Sequence, residues 1–336
     1  MNMPMQRLGN SGVEVSRLCF GTMTFGTQWE QIGITTQPEA DALVGRCLDA
    51  GINFFDTADV YSGGESESAL GKALGKRRHE VILATKVRSR MSDAPNDVGL
   101  TRHHILNGVD ASLRRLGTDF IDLYQVHCWD TATPLEETLR ALDDCVRWGK
   151  VRYIGASNYA AWQLMKSLAL SDRYGLERFI TLQPLYNLVM RDIEAELVPL
   201  CEDQKLGILP WSPLAGGFLS GKYRRGAKAP AGTRRSGVES QFLQFDEARG
   251  LDVVDALDAV AKLHGGTVAQ AAINWLLAKP YVTSVVLGAR NMAQLEDNLA
   301  AIRWSLTAED VARLDAVMPP PRTYPQWFIS MFNTRR

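Results

Sequence analysis

The sequence contains no hydrophobic run of the roughly 20 residues that a membrane-spanning helix needs. Its first residues, MNMPMQRLGNSG, include no apolar segment of the kind found in signal peptides. It also has no excess of charge, because 37 Lys and Arg residues are balanced by 38 Asp and Glu residues. Nucleic acid and membrane surfaces are therefore not expected as partners, and we expect a cytoplasmic protein.

Cysteine and histidine are both scarce, with five residues of each. The cysteines are scattered, form no CxxC motif and are odd in number, which favours a reduced chain over a disulfide scaffold. Cys128 directly follows His127, but no second pair of ligands lies at metal spacing. No metal site is therefore predicted.

A regular alternation of strand-like and helix-like segments runs through the chain. A hairpin is predicted first, since the turn Asn10-Ser11-Gly12 separates two stretches that alternate in period two. Eight apolar strands follow, and seven of them precede a helix by only a few residues. These strands are predicted at 18–22, 52–57, 80–87, 119–127, 151–157, 179–184, 206–213 and 282–289.

Repeated strand-then-helix order implies a parallel sheet with right-handed crossovers. Eight such units predict an α/β fold, a (β/α)8 TIM barrel. The alternative is a doubly wound open sheet, which usually carries a GxGxxG turn after its first strand. The turn found there, GTMTFG at 21–26, does not fit that pattern. We predict one domain over 1–336, with the hairpin before the barrel and a C-terminal extension after it.

Polar residues stand at the carboxyl ends of the predicted strands, where barrels of this kind hold their active sites. Asp56 ends the second strand, and Tyr61 follows in the loop. Lys86 ends the third strand and His127 the fourth. Because parallel strands end on one rim, we expect these four side chains to lie together. A buried aspartate and lysine would also need each other as partners.

These four side chains suit the transfer of a proton to an oxygen. A tyrosine with its ordinary pKa of about 10 is a poor donor at neutral pH. A cationic Lys86 is expected to lower the pKa of Tyr61, with Asp56 holding the ammonium. A neutral His127 could orient a carbonyl oxygen. None of the four is a convincing nucleophile, so the set favours carbonyl reduction by a hydride from a cofactor.

The order and spacing of seven segments resemble the aldo-keto reductase superfamily, from about residue 5 to 318. The segments are GINFFDTADVYSGGESE, ILATK, DFIDLYQVHCWD, IGASN, LQPLYN, PWSPLAGGFLSGKY and LGARNMAQLEDNL. The resemblance, to bacterial and aryl-alcohol-dehydrogenase-like members, implies a catalytic tetrad of Asp56, Tyr61, Lys86 and His127. Tyr61 would be the proton donor.

The resemblance also implies that NADPH/NADP+ lies extended across the barrel rim, without a Rossmann fold. Ser157, Asn158 and Gln183 match the residues that hold the nicotinamide carboxamide. Trp211 matches the position whose aromatic ring stacks on the nicotinamide.

A second set of matching residues concerns the pyrophosphate. The segment from Ser212 to Lys222 corresponds to the loop that covers this group. The backbone amides of Leu214 and Gly216 and the charge of Lys222 would contact the phosphates. The position of the segment after the seventh strand fits the phosphate site of barrels.

The segment expected at the 2′-phosphate departs from the best-known members, which carry a lysine and a later arginine. Gly288 and Gln294 occupy those two positions here. Arg290, between them, resembles the variant of the bacterial and aryl-alcohol-dehydrogenase-like members. A guanidinium can grip a phosphate through two donors, so NADP(H) is expected over NAD(H). Asn298 would meet the adenine.

The substrate, a small carbonyl compound or alcohol, should bind in an apolar, aromatic pocket. The candidates are Met23, Phe25, Trp29, Trp129 and the tail 324–332, which could instead pack on the barrel as a strap. The polar stretch 223–245 is expected to be a mobile loop, either a lid over the cofactor or a disordered excursion. The oligomeric state, monomer or homo-oligomer, stays open.

Three functions compete. The first is an NADPH-dependent reductase of aldehydes and ketones, able to run in reverse as an alcohol dehydrogenase. The second is a regulatory protein like a potassium-channel β-subunit, which shares the fold and the cofactor but requires a channel partner. The third is an isomerase or aldolase that uses Lys86 as a Schiff-base amine. This last function is disfavoured, because Asp56 would keep the amine protonated.

Overall fold

Ten strands form two sheets in the computed structural model, which describes residues 3–30, 32–226 and 243–333. The N-terminal antiparallel hairpin consists of β1 (Met5–Arg7) and β2 (Glu14–Ser16). The parallel strands are β3 (Leu18–Gly21), β4 (Phe54–Asp56), β5 (Ile82–Val87), β6 (Ile121–Val126), β7 (Val151–Ser157), β8 (Phe179–Gln183), β9 (Gly207–Ile208) and β10 (Val285–Leu287). They pair in the order β10-β3-β4-β5-β6-β7-β8-β9. All eight lie within the predicted segments.

Hydrogen bonds across the outer strands close this sheet into a barrel. The Thr283 N–H donates to the Ile208 carbonyl at 2.9 Å, and the Val286 N–H donates to the Pro210 carbonyl at 3.0 Å. β9 is short, yet the backbone beyond it continues beside β8, with the Trp211 N–H donating to the Pro184 carbonyl at 3.0 Å. The ladder of backbone hydrogen bonds is interrupted at Pro184 and Pro210, because proline has no N–H to donate. The predicted (β/α)8 barrel is confirmed.

Helices follow the strands in the predicted order. Threonine caps open several of them, for example Thr101, whose side chain accepts a hydrogen bond from the His104 N–H. The helices are α1 (Gln37–Asp49), α2 (Glu65–Leu74), α3 (Arg102–Leu116), α4 (Leu135–Arg147), α5 (Ala161–Tyr174), α6 (Leu197–Gln204), α7 (Glu247–Leu263), α8 (Val268–Leu277), α9 (Met292–Ala300), α10 (Ala308–Val317) and α11 (Gln326–Asn333). Within the described residues, no helix is long and apolar enough to cross a membrane.

Two apolar clusters make up the core. The larger one lies between the sheet and the helices, and the smaller one fills the barrel interior. The hairpin contributes Leu8 and Val15 to the interior cluster, beside strand residues such as Phe54. Gly9 lets the hairpin approach closely, since a Cβ there would lie 2.1 Å from the Ile180 carbonyl oxygen. The hairpin therefore helps to fill the interior and leaves the carboxyl rim to polar residues.

The predicted lid at 223–245 falls largely outside the described residues, because 227–242 are not among them. Tyr223 is buried and packs on Phe218, with ring centroids 5.4 Å apart. The start of the stretch is thus fixed to the loop after β9, and the remainder stays a prediction.

Candidate active site

The period of two along each strand turns alternate side chains into the barrel. Phe54 on β4 belongs to the interior cluster, and Asp56, two residues later, also points inward. Ala84 and Lys86 repeat this relation on β5. Polar side chains of neighbouring strands therefore meet above an apolar layer at the carboxyl end of the barrel.

Lys86 is the buried cation of this cluster, with 1% of its side chain exposed. Its ammonium forms an ion pair with Asp56, donates to the Thr57 carbonyl at 2.9 Å and donates to the Tyr61 hydroxyl at 3.4 Å. Burial opposes the charge, but Asp56 and Tyr61 outweigh it and raise the pKa of Lys86. A protonated amine cannot attack a carbonyl, which disfavours the Schiff-base function.

Asp56 is contacted on both of its carboxylate oxygens. Oδ1 faces Lys86, and Oδ2 accepts hydrogen bonds from the amides of Gln125 at 3.0 Å and Gln183 at 2.9 Å. These two amides hold the carboxylate against the ammonium. Sequence reasoning missed Gln125, although it lies two residues before His127 on one strand, and the period of two could have found it.

Tyr61 opens a tight turn that follows β4. Ser62, Gly63 and Gly64 have φ angles of 47°, 60° and 97°, a region that favours glycine. A Cβ at Gly64 would lie 2.6 Å from Cδ of Arg115, so a larger residue is excluded there. The turn lets one loop place Tyr61 beside Lys86 and then start α2.

The Tyr61 ring lies between two other rings. Trp29 packs against it edge-on with centroids 5.9 Å apart, and His127 does so at 5.8 Å. The structure therefore brings together all four side chains that the sequence nominated, Asp56, Tyr61, Lys86 and His127.

The expected lowering of the pKa of Tyr61 is not found. Burial raises the pKa above its ordinary value, and the opposing charge of Lys86 is too weak to reverse this. Asp56 adds to the rise, because its negative charge offsets the ammonium that would stabilise a phenolate. Tyr61 is therefore a protonated phenol at neutral pH, and it is a weaker acid than a free tyrosine.

His127 is neutral at physiological pH. Burial, with the positive charges of Lys86 and Arg88, lowers its pKa to about 3. Its backbone N–H donates to the Val87 carbonyl at 2.9 Å, which fixes the residue at the end of β6. A neutral imidazole next to a protonated phenol can hold a carbonyl oxygen by hydrogen bonds without adding charge.

The residues predicted at the nicotinamide carboxamide form one connected patch beside His127. Ser157 Oγ donates to the Gln183 carbonyl at 2.7 Å, and the Asn158 amide donates to the His127 carbonyl at 2.8 Å. Trp211 Nε1 donates to Asn158 Oδ1 at 3.1 Å. The partly exposed indole of Trp211 is thus tied to the rim next to the tetrad.

The loop after β9 winds tightly where the pyrophosphate is predicted. Ser212, Gly216 and Gly217 all have positive φ, and the Gly216 N–H donates to Ser212 Oγ at 3.1 Å. The Leu214 carbonyl accepts from the backbone N–H at position 217 at 2.9 Å. The Lys222 ammonium lies against this loop. A Cβ added at Gly217 would be only 2.9 Å from Lys222 Nζ. A tight turn with a nearby ammonium suits an anion.

Arg290 lies on the loop between β10 and α9. Its Nη2 is buried and has no hydrogen-bond partner in the described part of the chain. Its side chain packs on Gly33, where a Cβ would lie 3.0 Å from Arg290 Nε. Gln294 Oε1 accepts from the Arg290 N–H at 2.9 Å, and the Asn298 amide donates to the Gly288 carbonyl at 3.2 Å. Gln294 and Asn298 therefore shape the loop that presents the guanidinium.

The substrate candidates differ in position. Trp29 packs on Tyr61, while Met23 and Trp129 are partly exposed. Phe25 is fully buried and packs on Phe20 with centroids 6.0 Å apart, so it belongs to the core. Trp29 is thus the candidate in direct contact with the tetrad.

The C-terminal tail forms α11, whose large apolar side chains are 40–58% exposed. Gln326 donates to Glu196 at 3.4 Å, next to the first residue of α6. Phe328 packs on Trp327 and Phe332, within the tail itself. No ring contact joins the tail to Tyr61 or Trp29 in the part of the chain that the structure describes, and pocket lining by the tail stays a prediction.

Asp59 is a buried acid that sequence reasoning overlooked. It lies two residues before Tyr61, is 1% exposed, and neither oxygen has a well-aligned hydrogen-bond partner in the described residues. Burial, reinforced by the charge of Glu67, raises its pKa to about 8. No sequence signal marks it, because its burial is created by the packing of α2 and α3 around the loop.

Asp59→Asn is expected to stabilise the protein most at alkaline pH. The native pKa of about 8 exceeds the ordinary value, so the native state keeps a proton that the unfolded chain has lost. Stability therefore falls as pH rises, by about 2–4 kcal/mol between about pH 5 and pH 8, and the asparagine removes this loss. Urea unfolding at the two pH values, with the exposed Asp93→Asn as control, measures the effect. A pH-independent difference would contradict the raised pKa.

The chain matches one family of known proteins over most of its length. A sequence model described as the Aldo/keto reductase family matches residues 17–319. An uncharacterized oxidoreductase of Bacillus subtilis, YrpG, is 39% identical over 94% of this chain and 95% of its own length. Versiconal hemiacetal acetate reductase of Aspergillus parasiticus is 35% identical over 96% of this chain and 99% of its own.

A third relative is named as a channel subunit and not as a reductase. A probable voltage-gated potassium channel subunit beta of Oryza sativa subsp. japonica is 38% identical, over 96% of this chain and 99% of its own length. Sequence identity alone therefore does not separate relatives named as reductases from those named as channel subunits.

Proposed function

The chain belongs to the aldo/keto reductase family, and on this premise we propose that it reduces aldehydes and ketones to alcohols with NADPH, and can oxidise alcohols in reverse. Family membership, together with relatives named as an oxidoreductase and a reductase, supports an oxidoreductase that acts on small carbonyl compounds. The cofactor, the proton donor and the substrate are the finer parts of the proposal.

One observation carries the proposal. The Tyr61 hydroxyl lies 3.4 Å from an ammonium that is itself paired with Asp56, and a neutral His127 ring packs on the same phenol. A carbonyl oxygen held by the phenol and the imidazole would gain negative charge during reduction. It would do so next to a proton that can be transferred and a cation that stabilises the phenolate left behind.

The proposed role of each residue follows from its charge. A bound dinucleotide supplies the hydride, which adds to the carbonyl carbon. Tyr61 gives its proton to the carbonyl oxygen, so the product is a neutral alcohol. Lys86 compensates the tyrosinate until solvent returns the proton. Asp56 keeps Lys86 in place, and His127 orients the oxygen without competing as an acid, because its pKa is about 3.

The rim residues fit a phosphorylated dinucleotide. The exposed indole edge at Trp211 and the amide of Asn158 offer a surface for a flat, polar ring. The ammonium of Lys222, which lies beside the turn at Gly217, suits a pyrophosphate. The buried, unpartnered Nη2 of Arg290 is a donor without an acceptor, which a 2′-phosphate would supply.

Arg290→Ala is expected to weaken NADPH binding about 10- to 100-fold and NADH binding much less. Charge-assisted hydrogen bonds of a guanidinium to a phosphate are worth about 1.5–3 kcal/mol, and NADH lacks that phosphate. Fluorescence titration with both cofactors measures the two affinities, and the exposed Arg303→Ala serves as control. Equal losses for the two cofactors would argue against a phosphate contact.

The function itself is tested by following NADPH absorbance with a panel of aldehydes, ketones, quinones and secondary alcohols. Turnover of at least one carbonyl class, with a clear preference for NADPH over NADH, is the expected result. Tight NADPH binding without turnover of any panel member would overturn the reductase proposal.

A second candidate is a cofactor-binding regulatory protein. It is favoured by the 38% identity to the relative named as a probable channel subunit beta. Cofactor binding without turnover would support it. We favour the reductase, because the arrangement of Tyr61, Lys86 and His127 suits the donation of a proton to a carbonyl oxygen.

A further inference from the structure

Arg88 has an unusual backbone at the rim of the candidate active site. It follows β5 directly, two residues after Lys86, and its φ of 145° lies in a region that favours glycine. The Gly99 N–H donates to its carbonyl at 2.8 Å, which pins the loop that follows β5. Strain of this kind persists where the surroundings hold a residue in place and is concentrated at functional sites.

The Arg88 guanidinium has no hydrogen-bond or ion-pair partner in the described part of the chain. Its Nε is buried and has no acceptor there. A half-buried planar cation with five donors is costly to leave without an acceptor. The side chain is only partly exposed, so water does not fully compensate it.

The nearby acid, Asp130, acts on Arg88 only through its charge, because no hydrogen bond or ion pair joins the two side chains in the described residues. Asp130 Oδ2 accepts from the Leu100 N–H at 2.8 Å and from Thr133 Oγ1 at 2.7 Å, and Oδ1 accepts from the Ala132 N–H at 3.0 Å. These donors, from the Asp130 loop and from the loop that follows β5, hold the carboxylate without a hydrogen bond to Arg88. The N–H donors of the Arg88 guanidinium are therefore available to a ligand.

Arg88 lies near the catalytic ring. The His127 N–H bonds to Val87, the residue before Arg88. The charge of Arg88 also contributes to the lowered pKa of His127. Lys86, two residues earlier, is already paired with Asp56. Arg88 is thus a cation without a hydrogen-bond or ion-pair partner among the described residues, and it follows the strand next to His127.

The position of Arg88 does not fit a role in binding the phosphates of the cofactor. Arg88 follows β5, whereas the candidate phosphate loops follow β9 and β10. In a closed barrel with the order β10-β3-β4-β5-β6-β7-β8-β9, β5 and β9 lie on opposite sides. An anion bound by Arg88 would therefore come from the substrate side of the rim.

We propose that Arg88 is a specificity residue that binds a carboxylate at the far end of the substrate, so that the preferred substrates are carbonyl compounds carrying a second, anionic group. The inference rests on the proposed reductase function and narrows its substrate class. A guanidinium fork matches a carboxylate through two parallel N–H donors. The anionic group is held on one side and the carbonyl oxygen reaches Tyr61 and His127 on the other.

The test compares two aldehydes that differ in charge. 4-Carboxybenzaldehyde carries the anion, and methyl 4-formylbenzoate is its neutral ester. The wild-type enzyme should show a higher kcat/KM for the acid, by about 10- to 100-fold. Arg88→Met should remove most of this preference through KM for the acid, with little change for the ester. Arg88→Lys should keep part of it.

A control variant separates local binding from overall charge. Arg90→Met removes the same charge two residues further along, where the Arg90 guanidinium donates to the Ser92 and Ala94 carbonyls at 3.1 Å. It should leave the preference for the acid unchanged. Equal kcat/KM for acid and ester in the wild type, or parallel losses on both in Arg88→Met, would overturn the inference while leaving the reductase intact.

Binding measurements decide the inference if neither aldehyde is reduced. In that case the reductase proposal fails for these substrates. Calorimetry with 4-(hydroxymethyl)benzoate and its methyl ester, on wild type and Arg88→Met, then reports on Arg88 alone. Binding of the acid that is lost in the variant supports the site, and no difference between the two ligands overturns it.

Discussion

Tyr61→Phe is expected to lose carbonyl reduction by about three orders of magnitude in kcat, within the range that a positioned general acid contributes. The substitution removes the hydroxyl that lies 3.4 Å from Lys86 and leaves the ring that packs on Trp29 and His127. The shape of the site is therefore kept while the proton is lost. Affinity for NADPH should change by less than about twofold, because no cofactor contact is assigned to the hydroxyl.

Stopped-flow measurement of single turnovers, with fluorescence titration of NADPH, separates the two effects. Tyr174→Phe, at the exposed C-terminal end of α5, removes a hydroxyl away from the cluster and provides the matched control. Unchanged turnover in Tyr61→Phe would refute Tyr61 as the acid. Loss of cofactor binding in proportion to turnover would show a structural role instead.

Asp56→Ala is expected to lower the free energy of unfolding by about 3–5 kcal/mol. The ammonium of Lys86 would then be buried without its counter-ion, and the amides of Gln125 and Gln183 would lose their shared acceptor. Each of these groups would stay desolvated without a partner, which costs more than losing an exposed pair. Catalysis should also fail, because the cation beside Tyr61 is no longer fixed.

A double variant distinguishes the buried charge from general damage. Asp56→Leu combined with Lys86→Met replaces the pair by apolar groups and should recover the part of the stability that the unpaired ammonium costs, though no activity. Glu136→Ala breaks the exposed pair with Arg140, whose groups are 2.9 Å apart, and should cost less than about 1 kcal/mol. Urea unfolding measures all of these values. A small loss in Asp56→Ala, similar to that of Glu136→Ala, would contradict the importance of the buried pair.

The fold could be predicted from the sequence because the patterns that indicate its strands and helices are local and repeated. An apolar strand followed by a helix recurs eight times along the described residues. The grouping of Asp56, Tyr61, Lys86 and His127 could be predicted for a related reason. Strand ends share one rim, and the period of two decides which residues face the interior. Gln125 follows the same rule, because it lies two residues before His127 and its side chain also faces the interior.

The sequence by itself determined the eight-stranded barrel, and it predicted that Asp56, Tyr61, Lys86 and His127 meet at the carboxyl rim, as they do in the structure. Only the tertiary structure decided their electrostatics. Burial raises the pKa of Tyr61 instead of lowering it, and it leaves Asp59 protonated over much of the neutral range. Only the structure likewise shows that the buried Nε of Arg88 has no hydrogen-bond acceptor in the described residues. The desolvation of a group depends on the packing of segments distant in the chain, and local sequence patterns do not carry that information.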